Sequence, residues 1–229
     1  MENPEYASVE YWNNRYQEDK QGDGNDDHAD AWYYTYDELK QFLKAPSKTS
    51  SALEVGCGRY PLCPDLRRQG GWAGRIVGID FSAVCIEELK AQAITSDLFI
   101  EYIEADARNL HTIGNEFDLV VDKGCIDAML SDGISYAAEL IHSYAQAVSV
   151  GGRCVIISHI YMVQGDEKFD AWIEGALFPA LNKIQSSNVR WKLRFCSAGE
   201  DNPSIFVMTK LRSSPRSAGL IEIEYEDYS

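Results

Sequence analysis

Short apolar runs alternate with longer amphipathic stretches along most of this chain, and that alternation narrows the possible folds more than any other feature. Runs at 52–55, 75–79, 99–103, 117–121, 153–158, 189–195 and 204–209 have the length and residue types of strands. Stretches 61–69, 83–95 and 136–148, lying among the first five runs, read as helices, and Ser82 stands where it would cap the second. Strands alternating with helices predict an α/β protein: a Rossmann-like, seven-stranded, mostly parallel sheet with helices on both faces. The last two runs are separated only by 196–203, a turn-rich stretch containing Gly199, Asn202 and Pro203. That spacing predicts a hairpin, so one terminal strand should run antiparallel. Ahead of the first run, segments at 8–16 and 31–43 read as helices and flank 17–30, a polar stretch with six acids that reads as a mobile loop.

Composition excludes several classes. The 229 residues hold 21 Lys and Arg against 36 Asp and Glu, a formal charge of −15. Such a chain repels phosphate backbones, so nucleic acid is not the expected partner, and a basic macromolecule is the better electrostatic match. The start of the chain shows no basic-then-apolar leader, and no apolar run approaches a membrane span. The six cysteines never form Cys-x-x-Cys, and the four histidines lack metal-ligand spacing. The expectation is a cytoplasmic, metal-free globular domain in a reducing compartment. Oligomeric state is not legible.

The chemistry-bearing segment is Leu53-Glu54-Val55-Gly56-Cys57-Gly58-Arg59, a buried strand running into two glycines and then a helix start. Glycine lets the backbone turn sharply and approach a ligand closely, and a helix N-terminus offers free N–H groups. A dinucleotide fingerprint would place a third glycine at position 61, where this chain has Pro61. That weakens an NAD-dependent oxidoreductase, as does the lack of a Tyr- or His-centred catalytic set. The second strand ends at Asp80-Phe81, where an acid can accept both ribose hydroxyls and a ring can cover adenine. The third ends at Asp106-Ala107 and the fourth at Asp122-Lys123-Gly124. Each acid alone could simply cap the following helix. The series, with Gly56 and Gly58 in register, matches the nucleoside half of S-adenosylmethionine, which has no pyrophosphate and needs no third glycine.

Four motifs carry a family resemblance: Tyr11-Trp12-Asn13-Asn14-Arg15-Tyr16, Trp32-Tyr33-Tyr34-Thr35-Tyr36, Gly56-Cys57-Gly58 and Asp122-Lys123-Gly124-Cys125-Ile126-Asp127-Ala128. Over residues 9–158 the chain resembles the seven-strand S-adenosylmethionine-dependent methyltransferases. More narrowly, it is similar to the group holding the elongation factor 1-alpha lysine methyltransferases and the methyltransferase domain associated with an endothelin-converting enzyme. The resemblance implies one domain over 1–229, with N-terminal lid helices and the acidic loop in 1–46, a Rossmann-like core in 51–211 and an acidic tail in 212–229. It implies that Trp12, Tyr16 and Trp32 close over the methionine end of the cofactor and that Gly56 lies under it. Asp80 and Phe81 would hold ribose and adenine, Asp106 and Ala107 the adenine edge, and Lys123 the fourth strand end. Rings suit a sulfonium because they attract desolvated cations, although the spacing of Trp12 and Tyr16 equally fits core positions of an amphipathic helix.

Arg15 stays open between the cofactor carboxylate and a structural ion pair. Asp122 and Asp127 stay open between orienting an amine and serving as a strand end and a cap, so no catalytic base is named. The family's usual Asn-Ser after Gly-Cys-Gly is here Arg59-Tyr60-Pro61, adding charge and bulk beside the expected methionine pocket. The expected activity is protein-lysine N-methylation of a basic protein such as elongation factor 1-alpha, with S-adenosylhomocysteine as co-product. A small-molecule methyltransferase and a non-catalytic cofactor-binding protein are the alternatives.

Overall fold

Strand β1 (Ala52–Val55) is buried at every position, as a strand with parallel neighbours and covered faces must be, and the sheet is laid out around it. The computed structural model describes residues 6–18, 33–114, 116–160, 166–184, 189–197, 202–213 and 221–227. Beside β1 lie β2 (Ile76–Asp80) and β4 (Phe117–Lys123), both parallel to it. β3 (Ile100–Glu104) pairs with β2, and β5 (Val148–Ser158) with β4, again in parallel. β7 (Ser204–Arg212) runs antiparallel to both β5 and β6 (Val189–Ser197), the hairpin that the turn-rich spacing predicts.

Among the described residues the sheet has eight strands where the sequence predicts seven. Residues expected to be an acidic tail form β8 (Ile221–Asp227), parallel to β6, giving the order β3-β2-β1-β4-β5-β7-β6-β8. The reason is period two: Ile221, Ile223 and Tyr225 alternate with Glu222, Glu224 and Glu226. Ile221 and Ile223 pack on the core, and the Tyr225 ring lies 5.4 Å from that of Phe195. The glutamates take the other face, where Arg190–Glu222 (3.2 Å), Lys192–Glu224 (2.8 Å) and Arg194–Glu226 (3.7 Å) form a ladder of ion pairs.

Each face of the sheet carries its own core. One is built on α2 (Tyr36–Leu43), α3 (Cys63–Arg68) and α4 (Ala83–Ser96). The other is built on α5 (Cys125–Leu130), α6 (Ile134–Ala147), α7 (Glu167–Trp172) and α8 (Phe178–Asn182). The wide π turn Ile173–Leu177 joins α7 to α8. It precedes Pro179, which has no N–H to give the Gly175 carbonyl. Ahead of the sheet stand α1 (Val9–Glu18) and α2; the latter starts at Tyr36, where the Glu38 carboxylate accepts the Thr35 N–H and hydroxyl, both at 2.7 Å. Most of the expected acidic loop, with Trp32, lies outside the described residues. Among the described residues no helix is long and apolar enough to cross a membrane.

Candidate functional site

At the carboxyl end of β1 the chain turns on Gly56, whose φ is +60°. A Cβ there would sit 2.7 Å from the Cys125 Cβ, so both the backbone angle and the packing against α5 demand glycine. The loop then crosses to β2: the Cys57 N–H donates to the Ile79 carbonyl at 2.9 Å, and the Gly58 N–H to Asp80 Oδ2 at 3.1 Å. Asp80 Oδ1 accepts the Ser82 N–H at 2.9 Å. Burial raises the pKa of this carboxyl while those N–H groups oppose the shift. Glu54, buried one residue before the strand end, takes the Leu62 and Cys63 N–H groups at 2.8 and 2.9 Å and so holds the far side of the same loop. Burial pushes the Glu54 carboxyl up and the Lys123 ammonium down, and each charge opposes the other's shift.

Helix α1 lies across this edge and is tied to it at two points. The Ser82 hydroxyl, which also caps α4, donates to Asn13 Oδ1 at 2.6 Å. Arg59 donates to the Tyr16 carbonyl and to Glu88 (3.2 Å), its guanidinium 5.7 Å from the centre of the Tyr16 ring. The substituted residue after Gly-Cys-Gly thus fastens the helix above it. Tyr16 and Trp12 stand with ring centres 5.7 Å apart, and the Trp12 indole donates to the Tyr6 carbonyl at 2.6 Å. Arg15 donates to the Tyr11 hydroxyl at 3.2 Å, has its guanidinium 5.7 Å from the centre of the Trp12 ring, and also lines the cavity between α1 and the strand ends.

Between α1 and the strand ends is a cavity of about 660 Å³, the size of a cofactor site. Its lining brings together Trp12, Tyr16, Gly56, Gly58, Asp80, Phe81, Asp106, Ala107 and Lys123, every described residue that the sequence singles out for the cofactor. Trp32 lies outside the described residues. Asp106 also caps the 3₁₀ turn Ala107–Thr112 and pairs with the Arg108 guanidinium at 2.7 Å. Burial opposes, yet Arg108 holds the Asp106 carboxyl below its ordinary range.

The methyltransferase-domain family profile matches residues 52–152, the segment carrying this strand-end edge. The human eEF1A lysine and N-terminal methyltransferase is 30% identical over 226 residues, covering 93% of this chain and 30% of that protein. The human mitochondrial citrate synthase-lysine N-methyltransferase is 25% identical over 146 residues, 56% of this chain and 61% of that protein. Magnesium protoporphyrin IX methyltransferase from Synechocystis, solved with bound S-adenosylmethionine, superposes with a TM-score of 0.59 at 16% identity, covering 93% of this chain and 99% of that one. Residues 52–152 belong to the methyltransferase-domain family, and the chain has the Rossmann-like fold of the class I methyltransferases. The chain spans 22–31% of the length of the eEF1A methyltransferase relatives it matches.

The two aspartates that the sequence leaves open part company in the structure. Asp122 is buried beneath α5, away from the cavity lining, and accepts the Cys125 N–H (2.7 Å), the Ile126 N–H (3.0 Å) and the Tyr144 hydroxyl (2.7 Å). Asp127 instead lines the cavity. Sequence reasoning assigned no role there to Tyr33, Met129, Leu140 or His159, which line the same cavity. Tyr33 was visible within the aromatic motif but indistinguishable from its neighbours. His159 follows the last residue of β5, so the carboxyl-end rule could have found it. Met129 and Leu140 lie on α5 and α6, whose seating beside the cavity no local pattern reveals.

Proposed function

We propose that this methyltransferase transfers a methyl group to lysine side chains of a basic protein of the elongation factor 1-alpha kind, in the cytoplasm. The observation that carries the reading is a single cavity running from strand-end acids to aromatic residues under α1, in a chain aligned over 93% of its length with a relative named for eEF1A lysine methylation. The residues present fit the cofactor. Asp80, held by the Gly58 and Ser82 N–H groups, lines the cavity at the end of β2, where an acid can accept ribose hydroxyls. Gly56 leaves open a cradle that a Cβ would fill. In this reading Phe81, Asp106 and Ala107 hold the adenine and Trp12 and Tyr16 cover the sulfonium, with Lys123 at the fourth strand end; all six line the cavity. When bound, S-adenosylmethionine supplies an electrophilic methyl group on a positively charged sulfur.

The chain's own part is positioning and exclusion of water. Free lysine has a pKa near 10.4, and an aromatic, largely dry cavity favours its neutral amine, the form that carries a lone pair. The test is transfer of tritiated methyl into recombinant elongation factor 1-alpha, followed by acid hydrolysis and amino-acid analysis. Label in methyl-lysine is expected. Label in an α-N-methyl amino acid, label confined to small molecules of a lysate, or no transfer at all would each overturn the reading.

A further inference from the structure

We propose that Asp127 is the residue that receives the acceptor amine, through an unfilled acceptor position on its Oδ1. This rests on the lysine-methylation reading above and adds the residue that recognises the substrate. Asp127 sits in the first turn of α5, entered through Gly124 at φ +93°. Three chain segments donate to its carboxylate: the Tyr33 hydroxyl to Oδ2 at 2.6 Å, the His159 N–H to Oδ2 at 3.3 Å, and the Ser158 hydroxyl to Oδ1 at 2.5 Å. An ionised carboxylate has about four acceptor positions. Among the described residues, both on Oδ2 are filled, and one remains on Oδ1 of a carboxylate that lines the cavity. Burial raises the Asp127 pKa, while the Ser158 and Tyr33 hydroxyls oppose that shift.

The surroundings suit a long aliphatic amine. The Tyr33 and His159 rings meet edge to face with centres 4.5 Å apart, and Met129 and Leu140 add apolar lining against which methylene groups can pack. A carboxylate acceptor, by contrast, would be repelled by Asp127. The ammonium gives its first proton to water at the cavity mouth. Asp127 then accepts one N–H of the neutral amine and so turns the nitrogen lone pair toward the methyl carbon. The new N–C bond forms as the C–S bond breaks, with that electron pair going to sulfur. The N-methylammonium product leaves with its remaining protons.

The decisive variants are Asp127→Asn, which removes the charge at constant size, and Tyr33→Phe, which removes one clamp and keeps the ring. Three quantities are read on the whole chain: kcat/KM on elongation factor 1-alpha, calorimetric affinity for S-adenosylmethionine, and affinity for Nα-acetyl-lysinamide as a bare amine probe. Asp127→Asn is expected to lower kcat/KM and probe affinity by about 10- to 100-fold, the cost of losing one hydrogen bond to a charged group, with cofactor affinity unchanged. Tyr33→Phe should show a smaller loss of the same kind, and Asp127→Glu should recover part of the activity. Wild-type rates and probe affinity in Asp127→Asn, with methyl-lysine still formed, would overturn the assignment alone. So would a parallel loss of cofactor affinity, or, if Asp127→Asn does not fold, full activity in Tyr33→Phe. Absence of methyl-lysine with the wild-type protein would instead overturn the reading beneath it.

Discussion

Asp122 and Asp127 stand in one turn of sequence and do different things because one faces the core and the other the cavity. Burial pushes the Asp122 carboxyl from 3.8 up to about 7, with the Tyr144 hydroxyl opposing and the Asp127 charge adding to the rise. An acid whose pKa is higher folded than unfolded stabilises the fold below the unfolded value, and that contribution is lost as pH rises from about 4 to about 7. Urea denaturation at about pH 5 and pH 8 should therefore show wild type losing, on the order of a few kcal/mol, more stability across the interval than Asp122→Asn. Identical pH dependence in the two proteins would mean that Asp122 is ionised throughout. At the same scale, Gly56 was legible from its motif, since only glycine suits a sharp strand-to-helix turn. That it must also clear Cys125 was not legible, because that contact joins residues 69 positions apart.

At the scale of elements, β8 is the clearest departure from the sequence expectation. Its three ion pairs to β6 involve side chains 32–56% exposed, so each is worth only about 0.2–1 kcal/mol. The backbone ladder and the burial of Ile221 and Ile223 hold the strand, and the ion pairs select its face and register. Reversing Arg190, Lys192 and Arg194 to Glu should destabilise the protein by about 1–3 kcal/mol in urea titration, and adding Glu222→Lys, Glu224→Lys and Glu226→Lys should restore most of it. No restoration would show that the register is set by the apolar face alone. The helical stretch 166–184 was also missed, although Phe169, Trp172, Ile173, Ala176, Leu177, Ala180 and Leu181 repeat at three and four residues and are all buried. Pro179 reads in the sequence as a helix break, although here it sits in the first turn of α8, directly after the π turn.

At the scale of the molecule, the −15 charge is distributed by the fold in a way that composition hides. Glu54, Asp80 and Asp122 are buried, and the acids of β8 neutralise this chain's own basic stripe instead of facing a partner. The net field nevertheless remains negative. If it steers a basic protein, kcat/KM on elongation factor 1-alpha should fall about threefold or more between about 50 and 300 mM salt, while methylation of an uncharged lysine amide stays nearly flat. A flat profile for the protein substrate would exclude electrostatic steering.

The sequence by itself determined the α/β class, the five parallel strands, the antiparallel hairpin and the residues at four strand ends. These rest on local period, on turn chemistry and on the rule that an open sheet presents its ligands at the carboxyl edge. Tertiary structure alone decided that Asp127 faces the cavity while Asp122 does not, that Arg59 fastens α1, and that β8 pairs with β6. Each depends on contacts between segments distant in sequence, and local propensity carries no information about which partner a side chain will meet.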